Sequence, residues 1–201
     1  TEIYTLSVHD ALPISVAGHI SVESKPEARR VLEANFPECE HVEDVALITE
    51  EMVQQWSMKY SGVGLVLLGS GPPCQGVSGL NSDRKGALKD IRSRLFQHVP
   101  RVKGMLQRAF PWAQVHSLTE NVASMDYEDC ETMNQSFGLL PWFMDADGIS
   151  LAHRPRLYWI SWEVQEEEGA EIYLGPGDRL PLLGQINLKA EVNEKFFLEK
   201  G

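Results

Sequence analysis

The sequence has few of the features that mark specialised classes of protein. No apolar run approaches the roughly 20 residues that a membrane-spanning helix requires, which argues against an integral membrane protein. The three cysteines, Cys39, Cys74 and Cys130, are too few for a disulfide framework and show no paired metal spacing, so we expect a reducing compartment. The six histidines form no HxxxH or HExxH pattern, and we therefore expect no metal site.

The overall composition is that of a globular protein whose charges are unevenly distributed along the chain. A chain of 201 residues, 43% apolar and 23% charged, is long enough for one compact domain. Its net charge is −11, yet residues 84–108 hold eight Lys or Arg and a single acid, Asp90. This basic stretch is compatible with a surface that faces phosphates, and equally with a solvated helix face whose charges are paired elsewhere.

The two ends of the chain differ in character from its middle. The start, TEIYTLSVHDALPI, looks like one reading frame of a sequencing-library adapter with Val8 in place of Leu, and a strand ending at Pro13 is the alternative. We expect residues 1–15 to be a non-native segment. Residues 166–201 are acidic and rich in Gly and Pro, which predicts the start of a second, incomplete module.

Between these ends, extended runs alternate with segments of helical spacing. The apolar run at 63–69 is typical of a strand buried on both faces, and apolar positions across 92–110 follow a helical period until Pro111. A capping box at 24–27 predicts one helix start, and 127–137 has the pattern of another helix. The alternation predicts an α/β fold with a mainly parallel sheet and helices on both faces.

Because ligands bind at the carboxyl ends of the strands in such a sheet, the residues that directly follow strands are informative. The Gly- and Pro-rich loop 69–81 follows the apolar strand and presents one thiol, Cys74. A thiol there can act as a nucleophile if dipoles or cations lower its pKa, and a small buried cysteine in a turn is the plainer alternative. The loop lacks both a GxSxG elbow and a Cys/His protease signature.

Two other positions carry charged groups at strand ends. Glu120 follows the strand at 115–118 and could be a general acid, a hydrogen-bonding clamp or an ordinary salt-bridge partner. Arg154 and Arg156 open a later strand, where side chains two residues apart point the same way and could grip one anion. Taken alone, two such arginines are more often surface charges.

In this order along the chain, the segments around Cys74, Glu120 and Arg154–Arg156 resemble motifs of the cytosine-5 DNA methyltransferase family. The resemblance covers residues 16–162, and an ordered set of motifs is far more specific than any one of them. ENVASM and AHRPRLYW are similar to the de novo-type branch, and PPCQG to the other branches. The matching pieces are PPCQG for the nucleophile loop, ENV for the glutamate motif, RPR for the arginine motif, DIRSRLF for the segment between the first two, VESKPEARRVLEANFP for the cofactor-ribose motif and EDV for the adenine motif.

The resemblance implies a fold and a division of the chain. The fold is the Rossmann-like fold of S-adenosylmethionine-dependent methyltransferases, incomplete at both termini. Residues 16–165 would form a partial catalytic domain, and 166–201 would begin an incomplete target-recognition region. No Phe-x-Gly-x-Gly turn of the family's cofactor loop precedes His19, so we expect the isolated chain to bind the cofactor weakly and to methylate poorly.

The resemblance also implies a reaction at carbon 5 of cytosine in double-stranded DNA. Cys74 would add to carbon 6 of a base flipped out of the duplex, while Glu120 holds ring nitrogen 3 and the exocyclic amine. Arg154 and Arg156 would position the base and a nearby phosphate. S-adenosyl-L-methionine would donate the methyl group, and the enzyme would work in the nucleus of a eukaryote or otherwise in the cytoplasm.

Four further residues would meet the cofactor if the resemblance extends to its pocket. Glu23 would bind the ribose hydroxyls and Asp44 the adenine amine, although each could be an ordinary acid at a strand end. Pro73, or Pro72 beside it, and Leu95 would add apolar contacts.

Two other functions stay open at this point. A tRNA cytosine-5 methyltransferase has the same fold and the same three motifs. A catalytically silent relative that only binds partners is a different class of protein, and the presence of both Cys74 and Glu120 argues against it.

Overall fold

The structure, a computed structural model, describes residues 15–83, 85, 89–90, 92–146 and 154–164, together with the backbone of 171–175 and 178–181. The predictions for residues 1–15 and 166–201 fall almost wholly outside this part of the chain and stay predictions. Within the described residues, no helix combines the length and the apolar character that crossing a membrane requires.

Strands and helices alternate along the described chain. The strands, β1 to β8 in chain order, are Ile20–Val22, Glu40–Val42, Leu65–Ser70, Gln114–Val122, Trp142–Asp145, Pro155–Ile160, Glu171–Gly175 and Asp178–Pro181. The helices, α1 to α4, are Pro26–Asn35, Glu50–Lys59, His98–Ala109 and Tyr127–Phe137, with short 3₁₀ turns at Val45–Leu47 and Ser93–Gln97.

The chain divides into two compact units, of which the first comprises residues 1–66 and 104–114. In it, β1 and β2 form a parallel pair connected by α1. The predicted capping box is wrong, because Lys25 is the N-cap and makes no side-chain cap bond. The backbone N–H of Lys25 instead donates to Glu23 Oε1 at 2.8 Å, and Pro26 begins the helix where no N–H is needed.

The first unit has a small core of its own. Within residues 15–66, its buried apolar side chains lie on α1, α2 and β2 and at two positions in the connections, Cys39 and Ile48. Trp56 of α2 is 4% exposed, and its indole N–H donates to Glu40 Oε1 at 2.5 Å, which links α2 to β2. Among the described residues 15–66, the buried apolar ones are Leu32, Cys39, Val42, Ile48, Val53 and Trp56.

The second unit, residues 67–103 and 115–201, is built on a sheet with the strand order β3-β4-β6-β5. Strand β6 runs antiparallel to both β4 and β5, so β4 and β5 run in the same direction, with α4 between them in sequence. The predicted sheet was mainly parallel, whereas this one is mixed. The physical reason is the connection at 146–154, which is too short for the crossover that a parallel neighbour needs.

The two faces of this sheet have different chemistry. On one face, Leu157, Trp159 and Phe143 pack with α4, and the indole N–H of Trp159 donates to Asn134 Oδ1 at 2.7 Å. Because side chains alternate along a strand, residues 120, 156 and 158 lie on the opposite face. The buried core consists of Val77, Phe96, Ala123, Met125, Cys130, Met133, Phe143, Leu157 and Trp159.

Strand β3 lies at the edge of its sheet and is not buried on both faces, contrary to the prediction from its apolar run. Leu65 is 45% exposed and Leu67 is 52% exposed. A continuous apolar run predicts a strand, but it does not distinguish a central strand from an edge strand with a single neighbour.

Candidate active site

The loop after β3 presents Cys74 at the end of the strand, as the sequence predicts. The carbonyl oxygen of Cys74 accepts hydrogen bonds from the backbone N–H groups of Val77 at 3.0 Å and Ser78 at 2.8 Å, which closes a tight turn. Cys74 is half-buried and packs against the core of the second unit. The thiol therefore lies at the rim of the core, on a turn whose geometry is fixed by hydrogen bonds.

The other two cysteines have different surroundings. Cys39 and Cys130 are both buried. Burial raises the pKa of the Cys39 thiol, and it raises the pKa of Cys130 to about 12, with smaller contributions from Glu131 and Asp129. A thiolate is the reactive form of cysteine, so burial suppresses the nucleophilicity of these two thiols.

Hydrogen bonds fasten the Cys74 loop to β4 and the residues that follow it. Asn121, which is 2% exposed, donates from Nδ2 to the carbonyl oxygen of Pro72 at 3.3 Å. The N–H of Gly79 donates to the carbonyl oxygen of Ser124 at 2.9 Å. Asn121 is the middle residue of the ENV motif, and its amide holds the nucleophile loop while its neighbour Glu120 points to the other face of the sheet.

Glu120 and Arg156 form an ion pair on neighbouring antiparallel strands. Arg156 Nε lies 2.6 Å from Glu120 Oε1, with the side chains 20% and 35% exposed, respectively. In the register of the two strands Arg156 is opposite Val122, so Glu120 is its diagonal neighbour on the same face. The arrangement leaves both side chains partly accessible and turns the carboxylate toward a fixed cation.

The second carboxylate oxygen of Glu120 faces the start of the Cys74 loop. A Cβ placed on Gly71 would lie 3.6 Å from Glu120 Oε2. The structure therefore brings together three of the predicted elements, which are the loop of Cys74, the carboxylate of Glu120 and the guanidinium of Arg156.

Arg154 occupies a different position from the one expected. Strand β6 begins at Pro155, so Arg154 lies just before it and is exposed, and the two arginines do not share the strand. The backbone N–H of Arg154 donates to the buried Asp145 Oδ1 at 2.7 Å, which fixes the backbone where β6 begins.

Sequence reasoning missed Tyr158, which lies directly opposite Glu120 in the β4–β6 register. Burial and then the negative charge of Glu120 raise the pKa of Tyr158, against the opposing effects of Arg156 and Arg154. The signal was present in the sequence, because Tyr158 follows Arg156 by two residues and strand alternation puts both on one face.

A cavity of about 350 Å³ lies in the first unit, and of the four residues predicted to meet the cofactor only Asp44 lines it. Asp44 also begins the 3₁₀ turn, where its Oδ1 accepts the N–H of Ala46 at 2.8 Å. Glu23 is not one of the lining residues, and its carboxylate accepts the N–H of Lys25. The residues that line the cavity are Ser24, Pro26, Arg29, Glu43, Asp44 and Leu47.

The cavity has features that suit a nucleoside. Pro26 and Leu47 offer apolar surface for a flat base, and Asp44 offers a carboxylate that could accept a hydrogen bond from an amine. Pro73 and Leu95, the other predicted cofactor contacts, are half-buried residues of the second unit.

Two solved structures show what the chain is similar to. One, described as a DNA modification methyltransferase encoded within an E. coli prophage, has 25% sequence identity and a TM-score of 0.50, over 71% of this chain and 39% of that one. The other, a triple mutant of Spodoptera frugiperda DNMT2, has 17% identity and a TM-score of 0.51, over 80% of this chain and 48% of that one.

The match therefore spans less than half of the length of either protein. No protein-family model matches the chain. Within the described residues, no group of three or more His, Cys, Asp or Glu side chains could hold a metal ion. The Rossmann-like α/β fold class is confirmed, and so is the resemblance to DNA methyltransferases that the ordered motifs predicted.

Proposed function

We propose that this chain carries the catalytic centre of an S-adenosyl-L-methionine-dependent methyltransferase that modifies carbon 5 of cytosine in double-stranded DNA, with residues 16–165 as its catalytic part. One observation carries the proposal: the ion pair of Glu120 and Arg156 lies beside the loop that presents Cys74. The similarity to the prophage DNA modification methyltransferase supports the same reaction class.

Carbon 5 of cytosine is a poor nucleophile, and Cys74 would overcome this by covalent addition. The Cys74 thiolate forms a bond to carbon 6, and the electron pair of the 5,6 double bond makes carbon 5 the nucleophilic carbon of an enamine. Carbon 5 would take a methyl group from a positively charged sulfur, and the electron pair of the broken bond would stay on that sulfur as a neutral thioether. A base then removes the carbon 5 proton, and the electron pair left behind expels Cys74 as thiolate. The double bond is then restored and the enzyme is unchanged.

Glu120 would stabilise the charge that this addition places on the ring. Its carboxyl group would contact ring nitrogen 3 and the exocyclic amine, sharing a proton with the nitrogen as negative charge develops there. Arg156 fixes the orientation of that carboxyl group through its 2.6 Å contact. Arg154, exposed beside the strand, would contact a phosphate of the target strand.

The cavity of the first unit would hold the nucleoside of the methyl donor. Asp44 would accept a hydrogen bond from the adenine amine, with Pro26 and Leu47 beside the base. Glu23 stays in the proposal as the ribose contact, from the adjoining end of β1. When bound, S-adenosyl-L-methionine supplies an electrophilic methyl group on a positively charged sulfur.

Duplex DNA is the proposed partner, with the target base flipped out because carbon 5 and carbon 6 are enclosed by neighbouring bases in the stack. Exposed cations follow the Cys74 loop in sequence and would meet the phosphate backbone. Those that the structure describes are Lys85, Lys89 and Arg94, together with Arg92, whose guanidinium binds Asp90.

Exchange of the cytosine 5-hydrogen with deuterated water tests the proposal without the methyl donor. Addition of Cys74 makes carbon 5 basic enough to take a deuteron, so we expect duplex DNA to exchange with the wild-type chain and not with Cys74→Ser. Cys39→Ser is the matched control and should exchange as the wild type does. Exchange on tRNA but not on duplex DNA would favour the tRNA enzyme, and no exchange on either would favour a silent relative.

A further inference from the structure

Gly76, two residues after Cys74, is packed too closely against a second segment for any side chain to fit. A Cβ at this position would lie 2.2 Å from Ser93 Oγ, 2.5 Å from Asp90 Cβ and 2.8 Å from Asp90 Cγ. Real Cβ atoms essentially never make nonbonded contacts shorter than 3.0 Å. The backbone of the Cys74 loop therefore lies directly against Asp90 and Ser93.

The surface that Gly76 meets is itself held in place. Arg92 donates to Asp90 through three groups, its backbone N–H to Oδ1 at 2.9 Å, Nε to Oδ1 at 3.1 Å and a terminal nitrogen to Oδ2 at 2.8 Å. These hydrogen bonds hold the pKa of Asp90 well below its ordinary value. Asp90 is 7% exposed and Ser93 is fully buried. A planar guanidinium bound at both oxygens fixes the carboxylate and its Cβ.

A displacement at Gly76 would be transmitted to Cys74. Gly76 lies inside the turn that the carbonyl oxygen of Cys74 closes with Val77 and Ser78. Val77 is 0% exposed and packs in the same core cluster as Phe96, which follows Ser93 by three residues. The loop is therefore held at two adjacent residues, Gly76 against Asp90 and Ser93 and Val77 in the buried core, and both lie in the turn that carries the Cys74 thiol.

We propose that Asp90 is a positioning residue for Cys74, acting through Gly76 and locked by Arg92. The inference rests on the proposed function, because it assumes that the place of the Cys74 thiol matters for reaction. A displacement of about 1 Å at a reacting group can cost on the order of 100-fold in rate.

The test compares Asp90→Asn with Asp83→Asn, which neutralises an exposed acid nearby. In Asp90→Asn, one of the two acceptor oxygens becomes an NH₂ group, which would face an N–H donor of Arg92 and could not accept its hydrogen bond. We expect Asp90→Asn to lower the rate of cytosine 5-hydrogen exchange at saturating duplex by about tenfold or more, with the half-saturating DNA concentration unchanged within about twofold. Asp83→Asn should match the wild type. Wild-type exchange by Asp90→Asn would overturn the inference.

A second readout needs no reaction. A loosened loop exposes a thiol that is now half-buried, so Asp90→Asn should be alkylated at Cys74 by iodoacetamide several-fold faster than the wild type while exchange becomes slower. General unfolding would also expose the buried Cys39 and Cys130, so alkylation of these two thiols at the wild-type rate distinguishes a displaced loop from general unfolding. If the wild type does not exchange the hydrogen at all, the proposed function fails, and alkylation of Asp90→Asn at the wild-type rate would by itself refute the positioning role.

Gly76 supplies an independent pair of variants. Gly76→Ala should reduce exchange at least as much as Asp90→Asn, while Gly62→Ala, whose Cβ has no atom within 4 Å, should have no effect. Adding Ser93→Ala to Gly76→Ala removes the nearest clashing atom and should recover about threefold of the lost rate, with Asp90 Cβ preventing full recovery. No recovery would contradict a contact at this place.

Discussion

Glu120 and Arg156 form a 2.6 Å ion pair across two antiparallel strands, at diagonal positions on the sheet face opposite the α4 core. The pair combines a carboxylate with the cation that orients it, beside a loop that carries a thiol. The carboxylate lies on β4 and the thiol in the loop that follows the neighbouring β3, and an acid with a nucleophile is the minimum that covalent activation of a pyrimidine needs.

Replacing Glu120 by Gln should reduce cytosine 5-hydrogen exchange by roughly 100-fold or more, because an amide cannot supply the proton that the ring nitrogen shares. The exposed Glu163→Gln is the matched control and should leave the rate unchanged. The measurement is deuterium incorporation into duplex DNA. Equal rates for the two variants would remove Glu120 from the mechanism.

The reactivity of the three cysteines should follow their burial. At pH 8 we expect iodoacetamide to modify Cys74 first in the folded chain, because burial raises the pKa of both Cys39 and Cys130. Peptide mass spectrometry after timed quenching measures the order, and urea-unfolded protein, in which all three should react at similar rates, is the control. Modification of Cys130 before Cys74 would contradict the structure.

Asp90 should stabilise the fold in a pH-dependent way. Its folded pKa is lowered from the ordinary value near 3.8, so its contribution is complete above that value and is lost as pH falls through the lower, folded pKa. We expect the difference in unfolding free energy between the wild type and Asp90→Asn to be constant from about pH 7 to 5 and to narrow below pH 4. Urea unfolding across this pH range measures the difference in unfolding free energy. A difference that widens on acidification would contradict the prediction.

Asp44→Asn separates the two roles of Asp44. Asn is as good an N-cap as Asp, so the hydrogen bond from Ala46 and the fold should survive. The substitution removes the negative charge of Asp44 and leaves the Arg29–Glu43 ion pair of the cavity in place, and we expect the Kd for S-adenosylhomocysteine to rise about five- to tenfold. Calorimetric titration measures it, with the exposed Glu38→Gln as control. Unchanged affinity would place the nucleoside elsewhere.

Much of the fold was predictable from local pattern. The helix at 127–137 was predicted with its observed bounds, and in the structure Gly138, at φ 66°, ends it. The antiparallel direction of β6 was not predicted. The direction of a strand relative to its neighbours depends on which strands pair, and the local sequence pattern carries no such information. The exposure of Leu67 was not predicted either, because the local pattern does not show that β3 is an edge strand.

The candidate site was predictable in its residue types and not in its contacts. Motif order singled out Cys74, Glu120 and Arg156, but only the register of β4 and β6 places Tyr158 opposite Glu120. The close packing of Gly76 against Asp90 brings together residues that are 14 apart in sequence, and no periodic pattern encodes such a contact.

Covalent trapping tests the central claim most directly, because it asks whether Cys74 attacks a cytosine ring. Duplex DNA containing 5-fluorocytosine blocks the loss of the carbon 5 substituent after methyl transfer, so the adduct persists through denaturing electrophoresis. We predict a shifted band, with S-adenosyl-L-methionine present, whose cross-linked peptide contains Cys74 and which Cys74→Ser abolishes. An adduct that persists in Cys74→Ser, or that maps to Cys39 or Cys130, would contradict the account.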